Sequence, residues 1–440
     1  MMKKLVFLLV AFTSVLAFSL AGCSNKNTSS GSGSADSGDK NKTNIDLWHS
    51  LSGDNGKNFE KIVDDFNKES DSVHVNAVYQ GGYTDAITKI RAVGDKEVPA
   101  ILQASGTNRK YLAESDFVKP LQEVMDKEKF DTSGIEENVL NRYTIDDKLY
   151  SMPFSSSNAI MLYNKDMLKE VGLDPENPPT TYEEIEKASQ KIKDKTKNYG
   201  FSFATIGWYF EELLANQGEL YLDKDNGFSG EPTKTLVAEE GGQKIFKWLD
   251  DMNKAGTFKN YGSNYEDPRA PFLAGQLAMY LDSSANVRQM VDEAPFEVGT
   301  APLPVPEGVD PHGATVGGNS LYITNKLSDK EQKAAWEFIK YTASPKVQAE
   351  WAAATGYFPV TKKANDEAEL QKAYEKYPQM KTAVEVNSNT SATPEMSGPL
   401  SDEGEQFRSI IETAQEQVYE GNDWKKALEG AAKKIDELLK

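Results

Sequence analysis

The sequence has little cysteine and little histidine, and both shortages restrict the kinds of site it can hold. Its one cysteine is Cys23, so no disulfide can form within the chain. The three histidines, His49, His74 and His312, lack metal-ligand spacing, and no histidine or cysteine metal site is expected. The stability of the folded chain must then come from a large apolar core, which 440 residues can bury.

Positive charge is also scarce. The chain has 49 Lys and Arg residues against 68 Asp and Glu residues, a formal net charge of −19. Phosphate backbones are bound by a surplus of Lys and Arg, so we expect no nucleic-acid partner. The same balance argues against broad adhesion to anionic lipid. An anionic ligand would need a locally positive site inside this acidic protein.

The sequence patterns of common enzymes are missing. There is no G-x-S-x-G, no Walker loop and no G-x-G-x-x-G. Residues 223–227 look like a calcium loop, but their spacing fails the D-x-[DN]-x-[DN]-G pattern, and we predict a surface turn. Paired carboxylates are too frequent in so acidic a chain to indicate a hydrolase. We therefore predict no catalytic residue, no metal and no cofactor.

The first 23 residues have the pattern of an export signal. Two lysines precede an almost wholly apolar run over residues 5–20, and Leu-Ala-Gly stands directly before Cys23. This arrangement resembles a bacterial lipoprotein signal, in which cleavage precedes the cysteine, the thiol carries diacylglycerol and the new amine is acylated, for example by palmitate. We predict a signal peptide over 1–22 and lipidation of Cys23. The alternative is an uncleaved anchor helix with an incidental cysteine.

A polar segment follows the cysteine. Residues 24–42 are Ser, Gly, Asn, Asp and Lys with almost no apolar side chain. Such a segment cannot bury enough apolar surface to fold, so it is expected to act as a flexible tether. We assign residues 23–43 to the lipidated cysteine and tether, and expect the ordered region to begin at Asn44.

Beyond the tether, apolar periodicity predicts strands that alternate with amphipathic helices. We predict strands over 45–49, 73–79, 100–103, 159–163 and 277–281, and helices around 59–66, 83–92, 182–192, 330–341, 345–354 and 403–419. Thr181 is the expected N-cap of the helix that follows it. This alternation indicates an α/β fold with a mostly parallel sheet. The proline-rich stretch 302–306 interrupts the middle and is a candidate crossing between two lobes.

Seven short segments stand in order along the chain: Leu47-Trp48-His49-Ser50, Pro99-Ala100-Ile101-Leu102-Gln103, Pro153-Phe154-Ser155-Ser156-Ser157, Tyr163-Asn164-Lys165-Asp166, Gly172-Leu173-Asp174-Pro175, Val316-Gly317-Gly318-Asn319-Ser320-Leu321 and Thr355-Gly356-Tyr357. Together they resemble the extracellular solute-binding proteins of ABC importers, from about Asn44 to the C-terminus. The first, third and sixth segments are most similar to the members that bind sn-glycerol 3-phosphate. The Tyr-Asn-Lys-Asp and Gly-Leu-Asp-Pro segments are shared with sugar-binding relatives.

The resemblance implies a periplasmic-binding-protein-like fold, with two α/β lobes joined by a hinge and a ligand between them. By analogy, residues 44–154 and 317–354 form the first lobe. Residues 155–316 and 355–440 form the second. The resemblance also implies a monomer whose partners are a small-molecule ligand and the permease subunits of an importer.

The family's ligand-binding positions carry over one by one. Arg408 stands at the place of a ligand arginine, and its planar fork suits phosphate. The alternative is a solvated arginine on the predicted helix over 403–419. Ser283 matches a ligand serine at a predicted helix start, and free N–H groups at a helix N-terminus suit an anion. The alternative is a simple N-cap.

Five further residues match ligand-contacting positions. Ser157 would donate its hydroxyl, and Gly318 would bring a backbone N–H close to the ligand. Tyr83 and Tyr357 would each offer a hydroxyl and a rigid apolar face. Trp208 falls near the tryptophans that the family places against glycerol, although the alignment needs a gap there. The alternatives are a tight turn at a lobe crossing for Gly318 and core positions for the tyrosines.

One position departs from the family pattern. The family has a glutamate that binds glycerol hydroxyls just after the Ile-Leu-Gln segment, and here that position is Gly106. The larger headgroup of a glycerophosphodiester could fill the space. Asn108 or Gln103 could instead supply the hydroxyl acceptor. The choice between monoester, diester and sugar stays open at this point.

The sequence therefore predicts a lipid-anchored receptor on the extracellular face of the cell membrane that catalyses no reaction. It would bind sn-glycerol 3-phosphate or a glycerophosphodiester by hinge closure and deliver it to a permease. The first alternative is a receptor for a neutral sugar or oligosaccharide. The others are a secreted lipoprotein hydrolase and a passive surface adhesin.

Overall fold

The computed structural model describes residues 42–93 and 97–440. The predicted signal peptide, Cys23 and the tether as far as residue 41 lie outside these ranges. Thr43 is the first residue of a strand, and its backbone pairs with Val73. The ordered region therefore begins one residue before the predicted Asn44.

Strands make up two sheets and a short hairpin. The strands are β1 (Thr43–His49), β2 (Val73–Tyr79), β3 (Ile101–Ser105), β4 (Thr144–Ile145), β5 (Lys148–Leu149), β6 (Met152–Ser157), β7 (Ala159–Asn164), β8 (Tyr199–Ser202), β9 (Leu277–Ser283), β10 (Val298–Ala301) and β11 (Gly317–Ile323).

Helices cover both sheets. The α-helices are α1 (Gly53–Glu69), α2 (Tyr83–Ala92), α3 (Arg109–Glu114), α4 (Gln122–Glu128), α5 (Glu137–Arg142), α6 (Lys165–Glu170), α7 (Tyr182–Thr196), α8 (Gly207–Asn216), α9 (Asp223–Asn226), α10 (Glu240–Ala255), α11 (Arg269–Leu273), α12 (Val287–Glu293), α13 (Asp329–Thr342), α14 (Pro345–Thr355), α15 (Ala368–Lys376), α16 (Lys381–Asn389), α17 (Pro394–Ser397), α18 (Gly404–Tyr419) and α19 (Trp424–Leu438). Short 3₁₀ helices span Gly106–Asn108, Ser284–Asn286, Lys362–Asp366 and Pro378–Met380.

The two larger sheets are mixed. The first has the order β2-β1-β3-β11-β6, with β1 parallel to β2 and β3, and with β11 antiparallel to β3 and β6. The second has the order β10-β7-β9-β8, in which only β8 and β9 are parallel. The prediction of a mostly parallel sheet is therefore wrong. It missed β11, which returns from a distant part of the chain and enters the first sheet between β3 and β6.

The chain crosses between the two sheets at identifiable points. β6 stays paired with β11 through Ser157 in the first sheet, and β7 begins the second sheet at Ala159, so we place the first crossing at Asn158. The chain returns between β10 and β11, through the proline-rich stretch 302–306. That stretch does connect the two sheets, as predicted. Two sheets with helices on their faces confirm the two-lobe α/β fold.

Burial follows the predicted periodicity. In α1, Phe59, Ile62, Val63 and Phe66 are all buried and form the face that packs on the first sheet. Each such side chain contributes about 1.5–3 kcal/mol when it leaves water. In the second lobe, Thr181 accepts a hydrogen bond from the Glu184 N–H at 3.2 Å, which confirms the predicted N-cap of α7.

The segment that looks like a calcium loop is a turn. Lys224, Asp225 and Asn226 have φ angles of 55°, 53° and 58°, so α9 is one left-handed turn rather than a right-handed helix. The Asp223 carboxylate accepts hydrogen bonds from Thr233 and Lys234. In the described part of the chain, no helix has the length and apolar character needed to cross a membrane.

Candidate ligand-binding site

A cavity of about 390 Å³ lies where the ends of the two sheets meet. Strand ends from both lobes line it, with Ser157 and Gly318 from the first sheet and Ser283 from the second. The seven residues predicted to contact a ligand all line this cavity: Tyr83, Ser157, Trp208, Ser283, Gly318, Tyr357 and Arg408. The structure thus brings together residues that lie more than three hundred positions apart in sequence, while their contact with a ligand remains a prediction.

Two serines end strands at the cavity. Ser157 is the last residue of β6, and its hydroxyl forms no hydrogen bond with a described residue. The Ser283 Oγ accepts a hydrogen bond from the Ala285 N–H at 3.3 Å, so Ser283 is also an N-cap. Its O–H proton is free for another acceptor. The helix that it caps is a three-residue 3₁₀ turn, which offers less aligned backbone dipole than the predicted helix start.

Gly318 is required by the backbone around it. Its φ angle is +103°, and a Cβ atom there would lie 1.9 Å from the Ser155 carbonyl oxygen. The strand pairing of β11 with β6 shifts register between Asn319 and Ser320, next to this glycine. The alternative of a tight turn at a lobe crossing is wrong, because Gly318 lies in β11. The backbone nevertheless requires a glycine at this position, whether or not its N–H also meets a ligand.

The two predicted tyrosines carry protonated hydroxyls. The Tyr83 hydroxyl accepts a hydrogen bond from Asn319 Nδ2 at 2.9 Å, and burial raises the pKa of Tyr83. Tyr357 stacks on Trp351 with ring centres 5.6 Å apart, and burial raises its pKa to about 12. Since both groups stay neutral at physiological pH, each can donate a hydrogen bond to an anion.

Trp208 forms an aromatic wall of the cavity. It lies in the first turn of α8, is 7% exposed and approaches Gly317, where a Cβ atom would come within 3.3 Å of the indole ring. Tyr265 stands beside it, with ring centres 6.2 Å apart, and is 46% exposed. Tyr265 also lines the cavity and was missed from sequence, because it falls in a loop without periodicity.

Arg408 is held by a carboxylate. Its Nε and Nη2 donate to the two oxygens of Glu211 at 2.9 and 2.6 Å, and the two side chains are 15% and 5% exposed. The alternative of a solvated arginine on α18 is therefore wrong. The Glu211 carboxylate raises the pKa of Arg408 and compensates its charge. The guanidinium of Arg408, which is predicted to bind phosphate, is thus held in a fixed orientation by Glu211.

Glu211 and Glu212 are functional candidates that the sequence reading missed. All ten residues of α8 are buried, yet two adjacent glutamates stand in it. A buried carboxylate requires a hydrogen-bonding or charged partner. Two adjacent glutamates in an otherwise apolar stretch were therefore the sequence feature that could have indicated a functional role. Glu212 accepts hydrogen bonds from the Thr315 N–H and hydroxyl, which ties α8 to the segment before β11. Burial raises the pKa of Glu212 to about 7.

The space beside Gly106 is filled by an arginine. A Cβ atom on Gly106 would lie 3.0 Å from Nε of Arg142, and both residues line the cavity. The proposed substitute acceptors do not reach it. Neither Gln103 nor Asn108 lines the cavity, and Gln103 accepts from the Ser50 N–H at 3.0 Å. The suggestion that one of them accepts a ligand hydroxyl is therefore wrong for this structure.

A third arginine at the cavity is neutralised in the same way as Arg408. Arg269 donates from Nε and Nη2 to Asp282 at 2.8 and 3.2 Å. Asp282 also accepts from the Ser283 N–H and from Asn286 Nδ2. This carboxylate therefore fixes the turn that presents Ser283. Within residues 42–93 and 97–440, no cluster of His, Cys, Asp and Glu could hold a metal ion.

A polar cavity between two α/β lobes is the arrangement of a receptor that encloses a small solute. The family model described as bacterial extracellular solute-binding protein matches residues 61–382. The chain belongs to this family, whose members capture solutes for ABC importers. The family resemblance predicted from short segments is thereby confirmed.

Proteins with different ligands are similar to this chain in sequence or in fold. Over 408 residues the chain is 32% identical to the sn-glycerol-3-phosphate-binding periplasmic protein UgpB of Pectobacterium atrosepticum, covering 90% of this chain and 91% of that one. The cyclic α-maltosyl-1,6-maltose-binding protein of Arthrobacter globiformis has a TM-score of 0.77 at 24% identity, covering 90% and 99%. UgpB of Mycobacterium tuberculosis, in complex with glycerophosphocholine, has a TM-score of 0.77 at 21% identity, covering 90% and 98%.

Proposed function

We propose that this chain is the substrate-binding lipoprotein of an ABC importer and that it binds sn-glycerol 3-phosphate or a glycerophosphodiester. The observation that carries the proposal is the convergence of four hydroxyl groups and an oriented guanidinium on one cavity. These groups belong to Tyr83, Ser157, Ser283, Tyr357 and Arg408. The names of the relatives at about one-third identity support the same ligand class.

The chemistry of the cavity suits a phosphate ester. A phosphoryl group has several acceptor oxygens and needs several donors together with positive charge. The free hydroxyl of Ser157 and the O–H proton of Ser283 supply donors, and the ion pair with Glu211 holds the Arg408 fork in place. The face of Trp208 offers an apolar surface for the carbon backbone of glycerol. The receptor binds and releases its ligand without altering it.

Ligand capture uses closure of the two lobes. We assign residues 44–157 and 317–354 to the first lobe and residues 159–316 and 355–440 to the second, with the first crossing at Asn158 rather than directly after residue 154. Ligand contacts from both lobes stabilise the closed state, because the ligand binds that state more tightly than the open one. Permease subunits then take the ligand from the closed receptor. The receptor acts as a monomer.

Attachment to the membrane is the other part of the proposal. Lipidation of Cys23, which lies outside the described residues, holds the protein on the extracellular face of the cell membrane. The polar segment after it allows the receptor to reach both the solute and its permease. The signal peptide over 1–22 is removed by cleavage directly before Cys23, and the amine that this cleavage frees is acylated.

A thermal-shift experiment tests the ligand. Purified residues 24–440 are melted with sn-glycerol 3-phosphate, glycerophosphocholine, maltose or inorganic phosphate at equal concentration. A ligand at 100 times its dissociation constant adds about 2.7 kcal/mol to the free energy of unfolding. A rise in melting temperature with either glycerophosphate and none with maltose is the expected result. No rise with either glycerophosphate overturns the ligand assignment.

A sugar or oligosaccharide receptor is the second candidate, and one observation favours it. The cavity shares Asn55, Arg269, Ala285 and Asn286 with a neighbouring cavity of about 740 Å³ that has a polar lining. Together the two spaces would admit a ligand much larger than glycerol phosphate. A rise in melting temperature with maltose alone would move the assignment to this class.

A further inference from the structure

Arg142 is a buried cation at the cavity with few partners. The residue is 4% exposed and ends α5. Its Nη1 donates to the Ser397 carbonyl, whereas its Nε is buried without a partner. Nη2 forms no hydrogen bond with a described residue, and no carboxylate of the described residues pairs with this guanidinium. Arg142 lines the cavity beside Gly106.

The neighbouring arginines are better compensated. Arg109 is buried but donates to the carbonyls of Gly106, Ser397, Gly398 and Pro399. Arg408 and Arg269 each have a carboxylate, as described above. Partial charges of several carbonyl oxygens or a full carboxylate offset the cost of burying a guanidinium. Arg142 has one carbonyl, which leaves it the least compensated cation among the described residues that line the cavity.

The nearby acidic groups do not neutralise Arg142. Both carboxylate oxygens of Glu211 accept hydrogen bonds from Arg408, and Glu212 accepts a hydrogen bond from the Thr315 N–H. Both interact with Arg142 only at longer range. Glu405 also lines the cavity, but it is exposed and its charge is screened by water. The part of the cavity next to Gly106 therefore carries an excess of positive charge.

We propose that Arg142 is a second ligand-contacting cation, which makes the receptor select a dianionic phosphate monoester of a small polyol over a monoanionic phosphodiester. This inference rests on the proposed function and deepens it. A phosphate monoester carries a charge of about −1.5 to −2 at neutral pH and offers three acceptor oxygens, whereas a diester carries one charge. Two guanidinium groups and four hydroxyls match the monoester better. A neutral sugar would leave the Arg142 charge uncompensated.

Calorimetric titration of the wild type and of Arg142→Gln tests the inference. The titrants are sn-glycerol 3-phosphate, glycerophosphocholine and maltose. The wild type is expected to bind the monoester more tightly than the diester. Arg142→Gln should bind the monoester about tenfold to a hundredfold more weakly, because it loses charge-assisted hydrogen bonds. It should also lose most of the preference for the monoester over the diester. Arg91→Gln is the matched control, because Arg91 is exposed on α2 outside the cavity.

The outcomes separate this inference from the proposed function. A wild type that binds maltose and neither phosphate ester overturns the proposed function. A wild type that prefers the monoester, with the same preference and affinity in Arg142→Gln, overturns only the role of Arg142. A wild type that prefers the diester also overturns the inference while the receptor function stands.

Arg142→Lys covers the case in which Arg142→Gln does not fold. Lysine keeps the charge but replaces the planar fork by a single ammonium group. Circular dichroism first establishes that the variant is folded. We expect its affinity for the monoester to fall at least threefold while a preference for the monoester persists, because charge rather than shape sets that preference. Affinity equal to that of the wild type would contradict the proposal.

Discussion

The Glu211 carboxylate forms a bidentate ion pair with the Arg408 guanidinium, although the two residues are 197 positions apart in the chain. The Nε to Oε1 and Nη2 to Oε2 distances are 2.9 and 2.6 Å, and the pair joins α8 to α18 beside the cavity. The helices approach so closely that a Cβ atom on Gly207 would lie 2.4 Å from the Arg408 Cα atom. A ligand therefore meets a guanidinium whose direction is already fixed, which lowers the entropy cost of binding.

Removal of Arg408 alone should damage both folding and binding. Arg408→Ala leaves the Glu211 carboxylate buried and unpaired, which costs about 3–5 kcal/mol in the free energy of unfolding. The double variant Arg408→Met with Glu211→Leu should recover most of that stability, because no buried charge is left. Both variants should lose binding of phosphate esters. Urea unfolding and calorimetric titration measure the two effects separately, and equal stability of Arg408→Ala and the wild type would contradict the role of the pair.

Glu212 should make stability depend on pH. Its folded pKa, about 7, lies above the 4.5 of an ordinary glutamate, so between these values the folded state binds a proton that the unfolded state has released. Stability therefore falls as the pH rises from 4.5 to 7, and the full penalty, about 3 kcal/mol, is present above pH 7. Glu212→Gln should be more stable than the wild type at pH 8 and similar to it near pH 4.5.

Urea unfolding at pH 5 and pH 8 checks this expectation. The Gln side chain can still accept from the Thr315 N–H and donate to the Thr315 hydroxyl, so packing is retained. The control is Glu420→Gln, which changes an exposed glutamate. Parallel pH profiles of Glu212→Gln and the wild type would show that Glu212 ionises normally in the folded protein.

Gly318 should tolerate substitution far less than another glycine with positive φ. Gly318→Ala combines a φ of +103° with a Cβ placed 1.9 Å from the Ser155 carbonyl oxygen, so β11 and β6 must separate locally. Gly308→Ala has a φ of +80° and nothing within 4 Å of its Cβ, so it isolates the backbone strain. We expect the free energy of unfolding to fall by about 1 kcal/mol in the control Gly308→Ala and by at least about 3 kcal/mol in Gly318→Ala. Equal losses in chemical denaturation would mean that the close approach is absent.

Lipidation of Cys23 predicts a simple change in location. Cys23→Ser removes the thiol that diacylglycerol would occupy. The variant is expected to lose incorporation of labelled palmitate and to leave the membrane fraction, while its binding of sn-glycerol 3-phosphate is retained because the cavity lies far along the chain. Cell fractionation and labelling measure both effects. Undiminished labelling of the variant would show that the lipid lies elsewhere, and an unlabelled variant that stays in the membrane fraction would show that an uncleaved anchor holds the chain.

Much of the fold follows from local sequence patterns. The period of two in residues 73–79 and the helical period beginning at Tyr83 predicted β2 and α2 with the observed bounds. The Thr181 cap is a local feature as well. In contrast, the placement of β11 between β3 and β6 depends on pairing between residues that lie more than one hundred and fifty positions apart in the chain. No local signal encodes that pairing, and for this reason the sheet directions were wrong.

The site was predictable where a motif marks it. Ser157 and Gly318 stand in motifs, and their lining of one cavity follows from the shared family fold. Arg142 was missed because it ends a short helix in a stretch without a motif, and only the folded chain brings it against Gly106. Glu211 was missed because its partner is remote in sequence. Charge compensation within a buried site is a property of the tertiary structure.

Ligand binding should change the fluorescence of Trp208. This ring lines the cavity, and an anion or a closing lobe near an indole alters its emission. The protein has six tryptophans, so the assignment needs variants. Trp208→Phe should abolish most of the change caused by sn-glycerol 3-phosphate, while Trp248→Phe should leave it intact, because Trp248 is buried against Tyr182 outside the cavity. A full change in Trp208→Phe would mean that the ring stands apart from the bound ligand, and Trp208 would lose its place in the proposed site.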